Sequence, residues 1–173
     1  MAPYDYVKTT REEAGPVATG GVSRFRRNMK IYTKLNVWVY RLSGGRLMNS
    51  AMGGYPICLV EFEGHKSGTR RYIPLIDVPY GQSRLLVGSQ AGLDRDPVWV
   101  RSLEANPEIW IQANGSRGRY RARRVGDEEK SQLWPHLCSV YPDYDSYQAR
   151  TDRNIPVFAC ESTEANSTPA GTD

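Results

Sequence analysis

Three tyrosines at steps of three stand in the segment Tyr141-Pro142-Asp143-Tyr144-Asp145-Ser146-Tyr147-Gln148. That spacing places Tyr141, Tyr144 and Tyr147 on one face of a helical turn. A phenol has an apolar body and one donor hydroxyl, with an unperturbed pKa of about 10. Three of them suit an apolar pocket that hands a proton to a carbonyl or nitro oxygen, since packing alone rarely needs three hydroxyls that each require a partner. A second group is Gly64-His65-Lys66-Ser67-Gly68-Thr69-Arg70-Arg71. Its two glycines let the backbone turn and expose amide N–H groups. Lys66, Arg70 and Arg71 add positive charge, and Ser67 and Thr69 add hydroxyls, so the turn suits a phosphate or carboxylate. By itself a basic hairpin turn is a common surface feature. A third group is Leu86-Val87-Gly88-Ser89-Gln90-Ala91-Gly92 followed by Pro97-Val98-Trp99. Small residues let a flat ring approach the backbone, and Trp99 could wall it, although a tryptophan there is more often plain core.

Other chemistries are excluded by what is missing. His65 and His136 are the two histidines, and neither has a cysteine or carboxylate cluster at ligand spacing, so no metal site is expected. His136 reads as a structural or solvated helix residue. Gly88-Ser89-Gln90-Ala91-Gly92 lacks the spacing of a nucleophile elbow, and no phosphate-loop or dinucleotide glycine motif is present. Arg117, Arg119, Arg121 and Arg123 alternate along a strand, which suggests a nucleic-acid footprint. Alternation, however, puts Tyr120 on the opposite face, and a solvated barrel strand with no nucleic-acid partner is the better reading. Cys58, Cys138 and Cys160 are odd in number and form no CxxC pair; Cys58 and Cys160 read as small buried hydrophobes, favouring a reducing, cytoplasmic compartment. No signal-peptide pattern and no run of roughly 20 apolar residues is visible.

The elements that must position these groups follow from pattern. The 173 residues, 39% hydrophobic and 10% aromatic, suit one domain with a real core. Residues 1–22, broken by Gly15, Pro16, Gly20 and Gly21, read as a flexible arm. Residues 23–45 form an amphipathic helix with its cap, with Phe25, Met29, Tyr32, Leu35, Val39 and Leu42 on one face. Between Ala14 and Val60 there is no acid, while Arg24, Arg26, Arg27, Lys30, Lys34, Arg41 and Arg46 are basic. The helix therefore packs on the domain or lies on an anionic membrane surface. Residues 46–161 carry the strands: 57–63, 71–78 with Pro74 marking an edge or bulge, 84–89, 108–113, 119–125 and 155–161. A short helix is expected from Pro97 to Leu103, and another follows Asp127 as cap. The tail 162–173 reads as disordered. Strands arriving as hairpins between a few helices give a mostly β, α+β domain of antiparallel barrel type.

With these segments in order, the sequence resembles the deazaflavin-dependent nitroreductase and quinone reductase family, whose cofactor is coenzyme F420. The resemblance rests on Gly-x-Lys-Ser-Gly-x-x-Arg, the Ser89 segment, Pro97-x-Trp99, Ala105-Asn106-Pro107 and Tyr-Pro-x-Tyr-x-x-Tyr-Gln-x-x-Thr-Asp-Arg-x-Ile-Pro, between about Asn36 and Glu161. It implies a split β-barrel, FMN-binding-like fold preceded by the amphipathic helix. Lys66, Ser67 and Arg71, with His65 beside them, match the loop for the cofactor's phosphate and acidic tail. Tyr72, Ile73, Pro74, Leu75 and Ile76 match one wall around the deazaflavin, and Val87, Gly88, Ser89 and Gln90 another. Val98, Trp99, Val100, Arg101 and Ser102 match the next part of the pocket. Tyr144 matches a tyrosine close to the cofactor, while Tyr141, Ser89 and Tyr147 match substrate-side positions.

The implied activity is hydride transfer from reduced coenzyme F420 to a quinone of the menaquinone kind, a nitroaromatic or another electron-poor unsaturated acceptor. Tyr141 is the foremost proton donor in that reading. The family often has Arg at position 65, Lys at 90 and Asn at 102, where this chain has His65, Gln90 and Ser102. Arg70, Arg95 and Arg101 are the cations able to compensate. The basic helix implies peripheral attachment to the inner membrane face. Two other readings are an FMN-dependent reductase on the same barrel and a non-catalytic carrier of the deazaflavin.

Overall fold

The run from Ile57 to Glu63 forms a strand, β1, because apolar residues at every second position turn Cys58, Val60 and Phe62 to one side. The computed structural model describes residues 4–16 and 54–163. The basic turn brings the chain back as β2 (Arg70–Ile76), antiparallel to β1 with Phe62 opposite Arg71 and Leu59 opposite Pro74. β3 (Val78–Tyr80) and β4 (Ser83–Val87) make a tight hairpin. β5 (Glu108–Ala113), β6 (Ser116–Arg124) and β7 (Val157–Ser162) complete one seven-stranded antiparallel sheet in the order β2-β1-β5-β6-β7-β4-β3. The sheet curls into a half-barrel, which is the expected split-barrel architecture. β2 is an edge strand, so Pro74 withholds no ladder donor from a second neighbour.

β4 and β7 are buried on both faces. Leu85, Val87, Val157 and Ala159 face one apolar cluster, while Leu86, Phe158 and Cys160 face the other. The first cluster is closed by helices α3 (Asp127–Val140) and α4 (Asp143–Arg150) through Trp134, Leu137 and Tyr144. The second is closed by β1, β5 and helix α2 (Val98–Ala105) through Trp99 and Leu103. The cysteines Cys58 and Cys160 are buried and unpaired, as read from their apolar runs.

Several local expectations are corrected. The single strand 71–78 is divided at Asp77, whose buried carboxylate pairs with Arg84 and whose N–H donates to Pro56 O (2.9 Å). Gly126, not Asp127, occupies the cap before α3, and Asp127 opens the helix with Glu128 and Glu129. The three tyrosines do not share one helix: Tyr141 ends α3, and only Tyr144 and Tyr147 lie in α4. The arm expected at 1–22 is packed where it is described. Residues 11–14 form a helical turn, α1, and Val7 and Ala14 are buried against α3 and α4. Asp145 explains this ordering. Its Oδ2 accepts from the N–H groups of Lys8 (2.9 Å) and Thr9 (2.6 Å), while Arg150 donates to Ala14 O at 2.8 and 2.6 Å. The amphipathic helix 23–45 and the tail from 164 onward lie outside the described residues.

Lys130 is buried where α3, α4 and this N-terminal segment meet. Its Nζ donates to Gln148 Oε1 (2.9 Å) and Asn154 Oδ1 (2.5 Å), with the rings of Tyr4, Tyr6 and Trp134 at 4.9–5.4 Å. Burial pushes its pKa down to about 7.

Candidate active site

A cleft of about 830 Å³ opens between β2, the loop after β4 and the start of α2. Strand alternation supplies its floor: Arg71, Ile73 and Leu75 share a face with Phe62 of β1. Val87, Ser89 and Gln90 form a second wall, and Pro97, Val98 and Trp99 a third. Trp99 packs against Phe158 with the rings tilted by 51° and 5.7 Å between centroids, which anchors the apolar wall in the core. Val98 is 72% exposed at the mouth, one of few large hydrophobes left in water among the described residues.

One end of the cleft is cationic. The turn from Gly64 to Arg71 is locked by its own backbone: Gly64 O accepts from Ser67 N (3.1 Å) and Gly68 N (2.8 Å), and Gly64 N donates to Thr69 O (2.9 Å). Gly68 sits at φ 61°, a conformation glycine adopts without strain. Ser67 Oγ accepts from Thr69 Oγ1 (2.6 Å), and His65 N donates to the buried Ser102 Oγ (3.3 Å). Arg70 leans on Glu61 at 3.4 Å. Arg71 has no ion-pair partner among the described residues, and its side chain lies where a Cβ on Gly64 would stand, with Nε 2.8 Å away. A guanidinium so placed can meet an anion bidentately.

The wall formed by residues 88–92 is tightly constrained. Gln90 and Ala91 have φ 45° and 56°, and Gly92 follows at 79°. Left-handed backbone costs a residue with a Cβ about 1–2 kcal/mol, so two in succession persist only if the surroundings hold them. Gly88 is required by closeness: a Cβ there would come 2.7 Å from Pro156 Cγ. Gly92 is required for the same reason, because a Cβ would stand 2.7 Å from the backbone O of Tyr147. The wall of the cleft therefore rests directly on α4.

The tyrosines lie on the far side of that contact. Tyr141 packs against Tyr144 (5.0 Å between centroids), Tyr147 (6.1 Å) and Tyr55 (4.8 Å), and the hydroxyls of Tyr141 and Tyr147 are 3.0 Å apart. Tyr144 is buried in the apolar cluster with Val87, a residue that also lines the cleft. Burial first, and then the Tyr147 hydroxyl, raise the Tyr141 pKa; burial likewise raises that of Tyr144. Both phenols are thus neutral donors throughout the physiological range.

Of the residues expected at the cofactor, Arg71, Tyr72, Ile73, Pro74, Leu75, Val87, Ser89, Gln90, Val98 and Trp99 line the cleft. His65, Lys66 and Ser67 stand exposed on the turn beyond it, and Arg101 is exposed on α2. Gly88, Val100 and Ser102 are buried behind the walls, and Ile76 packs with the tyrosines. Tyr141, Tyr144 and Tyr147 are not among the lining residues. The structure brings them to the back of the Ser89–Gly92 wall. Phe62 lines the cleft without having been singled out, and Pro97, quoted only as part of the Pro97-Val98-Trp99 segment, lines it too. Phe62 was legible only as a strand residue, since nothing in its alternation says which end of the strand meets a cavity.

Arg117, Arg119, Arg121 and Arg123 are paired with Glu61, Glu108 and Glu129 at 2.7–3.3 Å, which leaves no free basic stripe for a phosphate backbone. His136 Nε2 donates to Pro79 O at 2.8 Å, a structural contact. No group of three or more potential metal ligands occurs among the described residues.

A half-barrel with a ring-sized apolar cleft and a cation at its end defines a split-barrel protein that can hold a flat, anionic redox cofactor. Similarity to known proteins narrows the class. The family model for F420H(2)-dependent quinone reductase matches residues 32–162. An F420H(2)-dependent quinone reductase of Mycobacterium tuberculosis is 32% identical over 127 residues, covering 72% of this chain and 85% of that protein. A solved F420-H2 dependent reductase superposes with a TM-score of 0.58 at 36% identity, covering 61% of this chain and 94% of the other. A solved domain-swapped dimer gives 0.59 at 33% identity, covering 72% and 97%. The chain belongs to the F420H(2)-dependent quinone reductase family.

Proposed function

We propose that the cleft between β2, the Ser89 loop and Trp99 is where this chain performs the hydride transfer of its family. The chain is an oxidoreductase using reduced coenzyme F420 as donor and a quinone as acceptor. The observation that carries the placement is the cleft itself: about 830 Å³, its lining mostly apolar, with Ser89 and Gln90 on one wall and Arg71 among the lining residues. Flat walls and a cation are what a tricyclic ring with an anionic tail needs, so the residues present fit the cofactor.

When bound, the coenzyme supplies a hydride; one proton besides completes reduction of a quinone to a quinol. The protein's task is to position and to supply charge. Arg71, with Lys66 and Ser67 on the same turn, holds the anionic end, and Arg70 adds to the local field. Ile73, Leu75, Val87 and Trp99 flank the ring and exclude water. Ser89 is the hydroxyl on the wall nearest the tyrosine helix and orients the acceptor's oxygen. Tyr141, kept neutral by burial, stands behind that wall with its hydroxyl 3.0 Å from that of Tyr147, and it is the proton donor of this reading. Two of the departures, His65 and Ser102, meet in one contact. Ser102 is used to hold the His65 backbone, which keeps the turn in register without a further cation.

A nitroaromatic is a suitable second acceptor, since its oxygens present the same demand for a proton. Support for a membrane surface comes from the acid-free basic stretch between Ala14 and Val60. No described helix is long and apolar enough to cross a membrane. Flotation with anionic liposomes tests this: full-length protein remaining at the bottom of the gradient removes the membrane proposal.

The cofactor placement is tested by titrating the protein with coenzyme F420 and, separately, with FMN. Tight binding of the deazaflavin that weakens roughly tenfold or more in Arg71→Gln supports it, one charge-assisted bond being worth about 1.5–3 kcal/mol. Selective binding of FMN supports the alternative split-barrel reductase.

A further inference from the structure

We infer that Arg153 is a positioning residue that holds the wall carrying Ser89 and Gln90 in its left-handed path. One guanidinium serves four acceptors on this loop. Its Nη2 donates to the carbonyls of Gly88 (3.1 Å) and Ser89 (2.7 Å), its Nε to Leu93 O (2.6 Å) and its Nη1 to Asp96 Oδ1 (2.8 Å). The acceptors bracket the three residues with positive φ, Gln90, Ala91 and Gly92. Loop carbonyls turned inward by that conformation have no strand or helix ladder to join, and a rigid fork of donors answers several of them at once.

Arg153 is itself anchored. Its O accepts from Gln148 Nε2 (2.8 Å), and its N–H donates to Thr151 Oγ1 (3.3 Å), which in turn donates to Asp94 Oδ1 (3.0 Å). Residues 151–153 thus stitch both ends of the 88–96 segment to the end of α4, the helix that carries Tyr144 and Tyr147. Without Arg153 the turn itself keeps Gly92 N to Ser89 O (2.9 Å) and Leu93 N to Gln90 O (3.2 Å), with Gly88 N to Pro156 O (2.8 Å) and Thr151 Oγ1 to Asp94 Oδ1 (3.0 Å) at its two ends. A relaxed loop would swing Ser89 and Gln90 out of the cleft wall. Arg153 is not itself a lining residue of the cleft and meets its wall only through the backbone carbonyl of Ser89, so its effect is exerted through the loop.

The proposal rests on reading the cleft as the coenzyme site, and its test separates the two. Amide hydrogen exchange is followed in the full chain for wild type, Arg153→Lys, Arg153→Gln and Asp96→Asn, with affinity for coenzyme F420 measured beside it. Exchange at Gly92 and Leu93 is expected to rise tenfold or more in both Arg153 variants and less in Asp96→Asn. Leu86 and Phe158 on β4 and β7 keep wild-type rates. Lysine does not rescue, because a point donor cannot span four acceptors. Coenzyme affinity falls tenfold or more in step with the loop rates. Unchanged loop exchange in the Arg153 variants overturns the inference, as does raised loop exchange with unchanged affinity. If both Arg153 variants unfold, Asp96→Asn decides: a local rise at Gly92 and Leu93 supports the tether, and wild-type rates there overturn it. Wild-type protein that fails to bind the coenzyme overturns the cleft reading alone, since loop exchange still reports on the tether.

Discussion

Lys130 shows how one side chain can give the fold a pH signature. Its amine meets two amide oxygens, the number a neutral amine can serve with its two N–H groups, and burial lowers its pKa to about 7. Asp127 acts in the opposite sense, and Arg153 and Arg124 reinforce the fall. The unfolded chain holds this proton up to a pH of about 10.5, so between about 7 and 10.5 it binds more protons than the folded chain. Stability contributed by Lys130 therefore rises with pH across that window, by at most about 1.4 kcal/mol per unit. Urea midpoints of wild type should climb from pH 7 to pH 9 relative to those of Lys130→Met; parallel curves would show that the lysine is charged when folded. Behind the cleft wall, Tyr141→Phe removes one hydroxyl and keeps the ring packing, so kcat should fall about 100-fold with coenzyme affinity unchanged if Tyr141 is the proton donor. Unaltered turnover takes Tyr141 out of the chemistry. At this scale the sequence disclosed residue types well. Tyr141 and Tyr147 do pair, and Arg71 does reach the cleft. Arg153 was invisible as a tether, because its acceptors lie about sixty positions away and nothing local signals them.

At the level of elements, two glycines beside the cleft differ in what a side chain there would meet. A methyl at Gly64 would displace Arg71 Nε, the movable end of a flexible side chain. Gly64→Ala should therefore fold normally yet bind the coenzyme less well, in the direction of Arg71→Gln; wild-type affinity would show that Arg71 is not the anion's partner. A methyl at Gly92 meets immovable backbone at Tyr147 O and is required to adopt φ 79°. Gly92→Ala should lose at least about 1 kcal/mol from the backbone conformation alone, with the clash added to it, read as a lowered Tm. The strands were legible because period-two burial is written in their residues, β1 from Ile57 to Glu63 most plainly. The break at Asp77 was not, since it depends on a pairing with Arg84 across a hairpin. The tyrosine triplet misled for a related reason: equal spacing implies one helical face only if a single helix runs through it, and Tyr141 instead ends α3 before Pro142.

At the scale of the molecule, the described residues form a curled sheet with two apolar clusters, one closed by α2 beneath the cleft and one closed by α3, α4 and the N-terminal segment. Hairpin order alone pointed to this antiparallel architecture, whereas the docking of residues 4–16 did not show in their mixed composition. Asp145 is the reason, because a carboxylate on a distant helix caps two N–H groups of that segment. The proposed site lies at the loop that carries Ser89 on one side and rests on Tyr147 on the other. The most direct measurement of the central claim is anaerobic mixing of the protein, reduced coenzyme F420 carrying deuterium at its hydride position, and a soluble menaquinone analogue. Acceptor-dependent oxidation of the coenzyme, slowed by the deuterium and abolished or weakened in Arg71→Gln, is the expected result. Coenzyme that binds in the cleft yet stays reduced in the presence of the quinone would contradict the account.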